Sequence, residues 1–221
     1  MGVEKSDEMV MALDDNSREI GLVSRRLANR VGIWHLCAQV FVLVREVEGS
    51  AYLLFQRRSR KKSVSPGVID ISASGHVTAE QDSLTAALSE LKEELGIDVA
   101  EERLTFIGRR IDLYSSEKAL SRIFADVFIV EITQAHLKEI CTAPEEVEEV
   151  LLIKPESLME MFSPDGQERL DGLRIEAGKE VSLEPCTVAA VEFLPRFDNL
   201  YYRIGRLAQE YSYDQGNKVL L

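Results

Sequence analysis

The segment IWHLCAQVFVLV (residues 33–44) constrains the fold of this chain more than any other. It is nearly unbroken in apolar residues and rich in β-branched ones, yet it falls well short of the roughly 18 residues that cross a bilayer, so it predicts a buried strand. A second β-rich run, AYLLFQ (51–56), follows the polar REVEGS, and the pair predicts a hairpin with a medium loop. Farther along, LTFIGRRIDLY and IFADVFIVEI read as strands, and EEVEEVLLI as a short strand entered through an acidic loop. PESLMEMF reads as a helix with Pro155 in its first turn, and a final helix from about Asn199 to Tyr211 carries Leu200, Ile204 and Leu207 at helical spacing. Strands outnumber helices, with hairpins early and helices interposed later, which predicts a mixed sheet with helices packed on it.

The 221 residues suffice for one large domain, or a domain with an extension, around a substantial core. A formal net charge of −12 repels a phosphate backbone, so no nucleic acid duplex is expected as a partner, and an anionic substrate needs a local basic patch. That patch is present as RRSRKKSVSPG (57–67), although a basic loop can also be no more than a solvated surface. The start, MGVEKSDEMVMALDD, is too acidic for a secretory signal, and Cys37, Cys141 and Cys186 offer neither a disulfide framework nor a CxxC zinc site. A cytoplasmic protein with no membrane partner is expected, with a homodimer as the default assembly.

The chemistry concentrates in GHVTAEQDSLTAALSELKEELGI (75–97). On a helix, Leu84, Leu88, Leu91 and Leu95 form one stripe able to seat on a sheet, which fixes where the acids point. Glu90 and Glu94 fall one turn apart on a flank beside the small Ser83 and Ala87, with Glu93 near the outward face. Like charges at this spacing repel, and acids near a helix C-terminus oppose its dipole. Two unfavourable terms in one place suggest a hard divalent cation held by carboxylate oxygens, against the plainer reading of a solvated acidic face.

The spacing decides between these. The stretch resembles the signature of the Nudix hydrolases: a glycine, five residues, Glu, seven residues, then Arg-Glu-apolar-x-Glu-Glu-x-Gly-apolar. Gly75, Glu90, Leu91, Glu93, Glu94, Gly96 and Ile97 stand where that signature requires them. Gln81 and Ser89 replace its first Glu and its Arg. These are opposite charges in the family, so their joint loss strands no ion, and Gln and Ser can still hydrogen-bond across loop and helix.

The resemblance implies an α/β (α+β) fold, the Nudix-type α/β/α sandwich around a mixed β-sheet. On that basis residues 1–30 are an N-terminal arm, 31–162 the Nudix domain, and 163–221 a C-terminal extension packed on the same domain, where Asp165, Gly166, Gly172 and Gly178 weaken the pattern. It also implies that Glu90, Glu93 and Glu94, as catalytic carboxylates, hold Mg²⁺ or Mn²⁺ with help from the Gly75 carbonyl, and that the substrate is a small-molecule diphosphate. Glu90 and the acidic loop residues Glu145, Glu146, Glu148 and Glu149 are the candidate general bases.

A wider resemblance, from about Gly21 to Leu152, is to the Nudix branch that includes isopentenyl diphosphate isomerase. It is carried by GIWHLCAQVFVLV and by QRRSRKKSVSPGVIDISASGHV, which leads into the signature. His35 and His76 align with metal-binding histidines of the isomerase, and Arg58 and Lys62 with residues that hold its diphosphate. With His76, these two are the expected substrate-binding residues. The isomerase's catalytic cysteine is replaced by Ser74, its glutamate pair by Ser121 and Ile123, and a further histidine by the Ala28–Asn29 region. Proton transfer to an alkene needs an acid on one face and a base on the other, so hydrolysis of an organic diphosphate is expected instead, either nucleoside-derived or isoprenoid-like. The rival is a non-catalytic Nudix module that binds a phosphorylated ligand or a protein partner, with Gln81 and Ser89 as relics.

Overall fold

The computed structural model describes residues 8–45, 51–62, 64–115, 120–176 and 182–213. The stretch read as a polar arm folds into two strands, β1 (Met9–Leu13) and β2 (Glu19–Ser24), and a short helix, α1 (Arg25–Val31). Its acidity conceals Val10, Ala12 and Leu13, which are buried. The long apolar run becomes β3 (Trp34–Arg45), antiparallel to β4 (Ala51–Arg58) as the hairpin reading expects. Two short strands, β5 (Ile69–Asp70) and β6 (Ala73–His76), precede helix α2 (Ser83–Leu95). Then come β7 (Thr105–Ser115), β8 (Leu120–Thr133), β9 (Val147–Ile153), helix α3 (Pro155–Met161), strands β10 (Arg169–Glu176) and β11 (Glu184–Ala189), and helix α4 (Leu200–Tyr213).

Among the described residues all eleven strands join one sheet, whose main path runs β11-β10-β9-β4-β3-β1-β2. At its centre, β3 runs parallel to β8 from Trp34/Arg122 to Arg45/Thr133, while β4, β6 and β1 pair with it antiparallel. Alternation along β3 then separates two cores. Ala38, Val40, Val42 and Val44 pack with Ala86, Ala87, Leu91 and Leu95 of α2, whereas Phe41 and Leu43 pack with Leu158 and Met161 of α3 and Leu200, Ile204 and Leu207 of α4. The result is an α/β/α sandwich around a mixed sheet. Burying Leu91 and Leu95 completely contributes roughly 1.5–3 kcal/mol apiece, enough to hold α2 flat on the sheet.

The sheet divides at one point, which makes room for a site. β3 and β4 stay paired from Val42/Leu54 to Arg45/Ala51 and then part, and β6 takes the place of β4 beside β3 from Val40/Ala73 to Cys37/His76. Ser72, fully buried, bridges the fork: its hydroxyl accepts from the Val42 N–H at 2.8 Å and donates to the Leu54 carbonyl.

The region after Ser163, where glycines blur the pattern, holds the β10–β11 hairpin, and β10 extends the sheet from β9. Gly172 lies within β10, while Gly178 is outside the described residues. Phe193 and Tyr201 pack with Phe55 and Phe162, so these aromatics are core, as is Phe128.

Candidate active site

Helix α2 is built to present its last turn to the fork. Asp82 caps its N-terminus by accepting from the Thr85 N–H at 2.7 Å, and Gly96 ends it in the left-handed conformation, φ 70°, with its N–H turned back to the Leu91 and Lys92 carbonyls. The glycine at the other end of the stretch serves close approach. A methyl group on Gly75 would stand 1.9 Å from Glu90 Oε1, so only glycine in β6 admits that carboxylate.

Glu94 is 6% exposed and lies in the fork, where one oxygen accepts from Gln56 Nε2 at 2.9 Å and from the Ser74 N–H at 3.2 Å. Burial pushes its carboxyl up to about 7, against the opposing pull of those hydrogen bonds and of Arg58 and Lys62. Glu93 is exposed on the outer face of the helix and does not line the cleft that Glu90 and Glu94 enter. Gln81 accepts from Thr78 Oγ1 at 3.1 Å, a bond within its own loop instead of one across to Ser89.

That cleft, about 180 Å³, is lined at one end by Glu90, Glu94, Gly75, His76, Arg58, Lys62 and Glu146. The basic and acidic loops named from the sequence are clamped to one another: Arg57 to Glu149, Arg60 to Glu148, Lys61 to Glu145 and Lys62 to Glu146. Arg58 is different. Its guanidinium donates to the Ser65 and Val64 carbonyls at 3.2 and 3.3 Å, which aims it without neutralising it.

Farther along the cleft are side chains that the sequence did not single out. Arg25 of α1 lines it, as do Gln39 of β3, Asp70 of β5, Asp112 of β7, and Leu194 and Arg196 from the segment before α4. That segment is pinned in place, because the Leu194 N–H donates to the Ile69 carbonyl and Tyr201 Oη donates to the Leu194 carbonyl, both at 2.8 Å. Arg196 then bonds Asp70 and Asp112 with its two terminal nitrogens. Arginine and aspartate alternating in RRIDLY look like an outward face of a strand, and Arg196 is 84 positions away, so nothing local signals the pairing.

His35 and His76 stack with ring centroids 5.0 Å apart and planes within 9°. With Cys37 they bring three ligand atoms within 4.8 Å of one another. His35 Nδ1 donates to the Ile33 carbonyl at 2.8 Å, and burial pushes the ring below its ordinary titration range, so it is neutral with Nε2 as the lone-pair nitrogen.

The NUDIX domain model matches residues 35–173, more than half of the chain. The chain belongs to the Nudix family. An uncharacterized Nudix hydrolase of Clostridium acetobutylicum is 32% identical over 56% of this chain and 59% of its own length. Isopentenyl-diphosphate Delta-isomerase 1 of Aromatoleum aromaticum is 29% identical over 41% of this chain and 49% of its own. The chain thus spans about half the length of several curated Nudix relatives it matches. In fold it is similar to a Deinococcus radiodurans protein of known crystal structure, with a TM-score of 0.50 at 20% identity, covering 69% of this chain and 86% of that one. The Nudix match takes in α2 and the forked strands but ends inside β10, so Leu194 and Arg196 lie beyond it.

Proposed function

We propose that the protein is a divalent-metal-dependent hydrolase of an organic diphosphate, working in the cleft at the fork of the sheet. The observation that carries this is the burial of Glu94 beside Glu90. A carboxylate 6% exposed, pushed up to about 7, is an unfavourable thing to bury unless a cation joins it, and Glu90 from the preceding turn enters the same cleft. The donor set is all oxygen, which fits Mg²⁺ or Mn²⁺.

In this reading Glu90, Glu94 and the Gly75 carbonyl hold the ion, and Glu93, on the outer face of the helix, stays outside the cleft. The ion supplies Lewis acidity and lowers the pKa of a bound water. Arg58, held by two carbonyls, and Lys62 steady the phosphates, with His76 beside them. Of the carboxylates considered as general base, Glu90 and Glu146 line the cleft, Glu146 in an ion pair with Lys62. Glu145, Glu148 and Glu149 are taken up by Lys61, Arg60 and Arg57.

Isomerization is not proposed. Ser74, Ser121 and Ile123 line the cleft where the isomerase resemblance would require a thiol and two carboxylates. Among the described residues no helix is long and apolar enough to cross a membrane. The protein's three cysteines are free, and the compartment that fits this reading is a reducing cytoplasm.

The test is phosphate release from a panel of nucleoside and isoprenoid diphosphates, with and without Mg²⁺ or Mn²⁺, in wild type and Glu94→Gln. Metal-dependent turnover lost in Glu94→Gln supports the hydrolase. Metal-independent binding without turnover across the panel supports a non-catalytic module.

A further inference from the structure

Asp112 is 4% exposed and lines the cleft, yet its two oxygens differ. Oδ2 accepts from Gln39 Nε2 at 2.9 Å and from Arg196 Nη1, and it forms an ion pair with Arg110 Nη1 at 3.0 Å, which donates to Gln39 Oε1. Oδ1 is buried and has no hydrogen-bond partner among the described residues. Two donors and an ion pair on one oxygen anchor the carboxylate, which leaves the other oxygen as an acceptor. Arg110 is itself held by Asp198 at 3.0 and 2.9 Å, and Arg196 by Asp70, while Arg196 Nε has no hydrogen-bond partner among the described residues.

Leaving a buried carboxylate oxygen without a donor costs roughly 1–3 kcal/mol, and more for charged groups. A donor supplied by a ligand removes the penalty only while bound, which makes the group a discriminator. The position is suitable. Ser74, whose N–H bonds Glu94, lies opposite Gln39 in the β3–β6 pairing, and Gln39 reaches Asp112. Asp112 is therefore three links from Glu94, with Ile123, Tyr114 and Leu194 along the same cleft.

We infer that Asp112 Oδ1 is a specificity-determining acceptor for a hydroxyl or amino group on the organic half of the substrate. The inference rests on reading the cleft as a diphosphate site. It selects substrates with a hydrogen-bond donor a few atoms beyond the diphosphate and disfavours purely hydrocarbon chains. Burial, which raises the Asp112 carboxyl, is outweighed by Arg196 and Arg110, which hold it below the usual range, so it is an anionic acceptor at neutral pH. Arg196 acts as a positioning residue, so the segment after the family match has a defined part in recognition.

The test uses alkyl monoesters of methylenebisphosphonate, which cannot be hydrolysed, in matched pairs of two to six carbons with and without a terminal hydroxyl. Affinities are measured by calorimetry in Mg²⁺ on the full chain. Wild type should bind the hydroxyl-ended member about tenfold more tightly at the best length. In Asp112→Asn the amide oxygen stays with the two arginines and the NH₂ group faces the ligand, so the preference should disappear or reverse. Equal affinity for each pair in wild type, a preference that survives in Asp112→Asn, or no binding of any analogue overturns the inference; the first would mean that the oxygen holds only a water. The wild-type comparison decides even if Asp112→Asn folds poorly. A hydroxyl preference without turnover of the corresponding diphosphates would sink the hydrolase reading and leave this one standing.

Discussion

Gly75 and Glu90 are in contact so close that a Cβ on the glycine would lie 1.9 Å from the carboxylate oxygen and 2.4 Å from Glu90 Cγ. The helix acids and the strand glycine are thus one device. Gly75→Ala should leave the fold intact but turn Glu90 out of the cleft, weakening Mn²⁺ binding by about ten- to a hundredfold. Calorimetric titration with Mn²⁺ checks this, and unchanged affinity would show that Glu90 is not a ligand in this position.

The charge state of Glu94 is under the control of the fold. Burial pushes its carboxyl up to about 7 from 4.5 in the unfolded chain. Because the folded value is the raised one, stability is full below 4.5 and is lost as pH rises through about 7. In chelator-treated protein, Glu94→Gln should be more stable than wild type at pH 8 by on the order of 3 kcal/mol and little different at pH 5. Urea denaturation at both pH values measures the difference. Parallel curves would contradict a buried, uncompensated carboxyl.

Ser72 holds the two sides of the fork together through the Val42 N–H and the Leu54 carbonyl. Ser72→Ala strands a buried amide and should cost about 1–3 kcal/mol in chemical denaturation, a large effect for the loss of one oxygen. A change under about 0.5 kcal/mol would mean that the fork closes by other contacts.

Arg58 and Lys61 are neighbours in the basic loop with different prospects. Arg58 lines the cleft and is aimed by two carbonyls, while Lys61 is 65% exposed and paired with Glu145. With a diphosphate that is turned over, Arg58→Ala should raise KM about tenfold through loss of a charge-assisted contact, and Lys61→Ala should change it little. Steady-state kinetics on both variants separates them, and equal effects would return the whole loop to the status of a charged surface.

The parts legible in the sequence were those with local periodicity. The run 33–44, the stripe of α2 and the aliphatic face of α4 each state their structure in the spacing of their own residues. The glycine and acid spacing of 75–97 likewise picks out Gly75, Glu90 and Glu94, which line one half of the cleft. The inner half is silent for a physical reason: Gln39, Asp112 and Arg196 come from three segments far apart in sequence, and Asp112 and Arg196, each in a charged stretch, look like surface in isolation. The same holds for β1, whose buried Val10, Ala12 and Leu13 sit in an acidic stretch, and for β10–β11, where Gly172 and Pro185 look like turn residues. The clamping of the basic loop by the acidic loop is a further long-range pairing, visible only once β4 and β9 lie side by side.

The most direct test of a metal site at the fork compares two acidic clusters in one protein. Mn²⁺ binding would be followed by electron paramagnetic resonance in wild type, Glu94→Gln and Glu145→Gln, the last removing a carboxylate from the exposed loop pair with Lys61. The account predicts that Glu94→Gln weakens Mn²⁺ binding at least about tenfold and that Glu145→Gln leaves it unchanged. Equal binding by all three proteins, or loss only in Glu145→Gln, would contradict it.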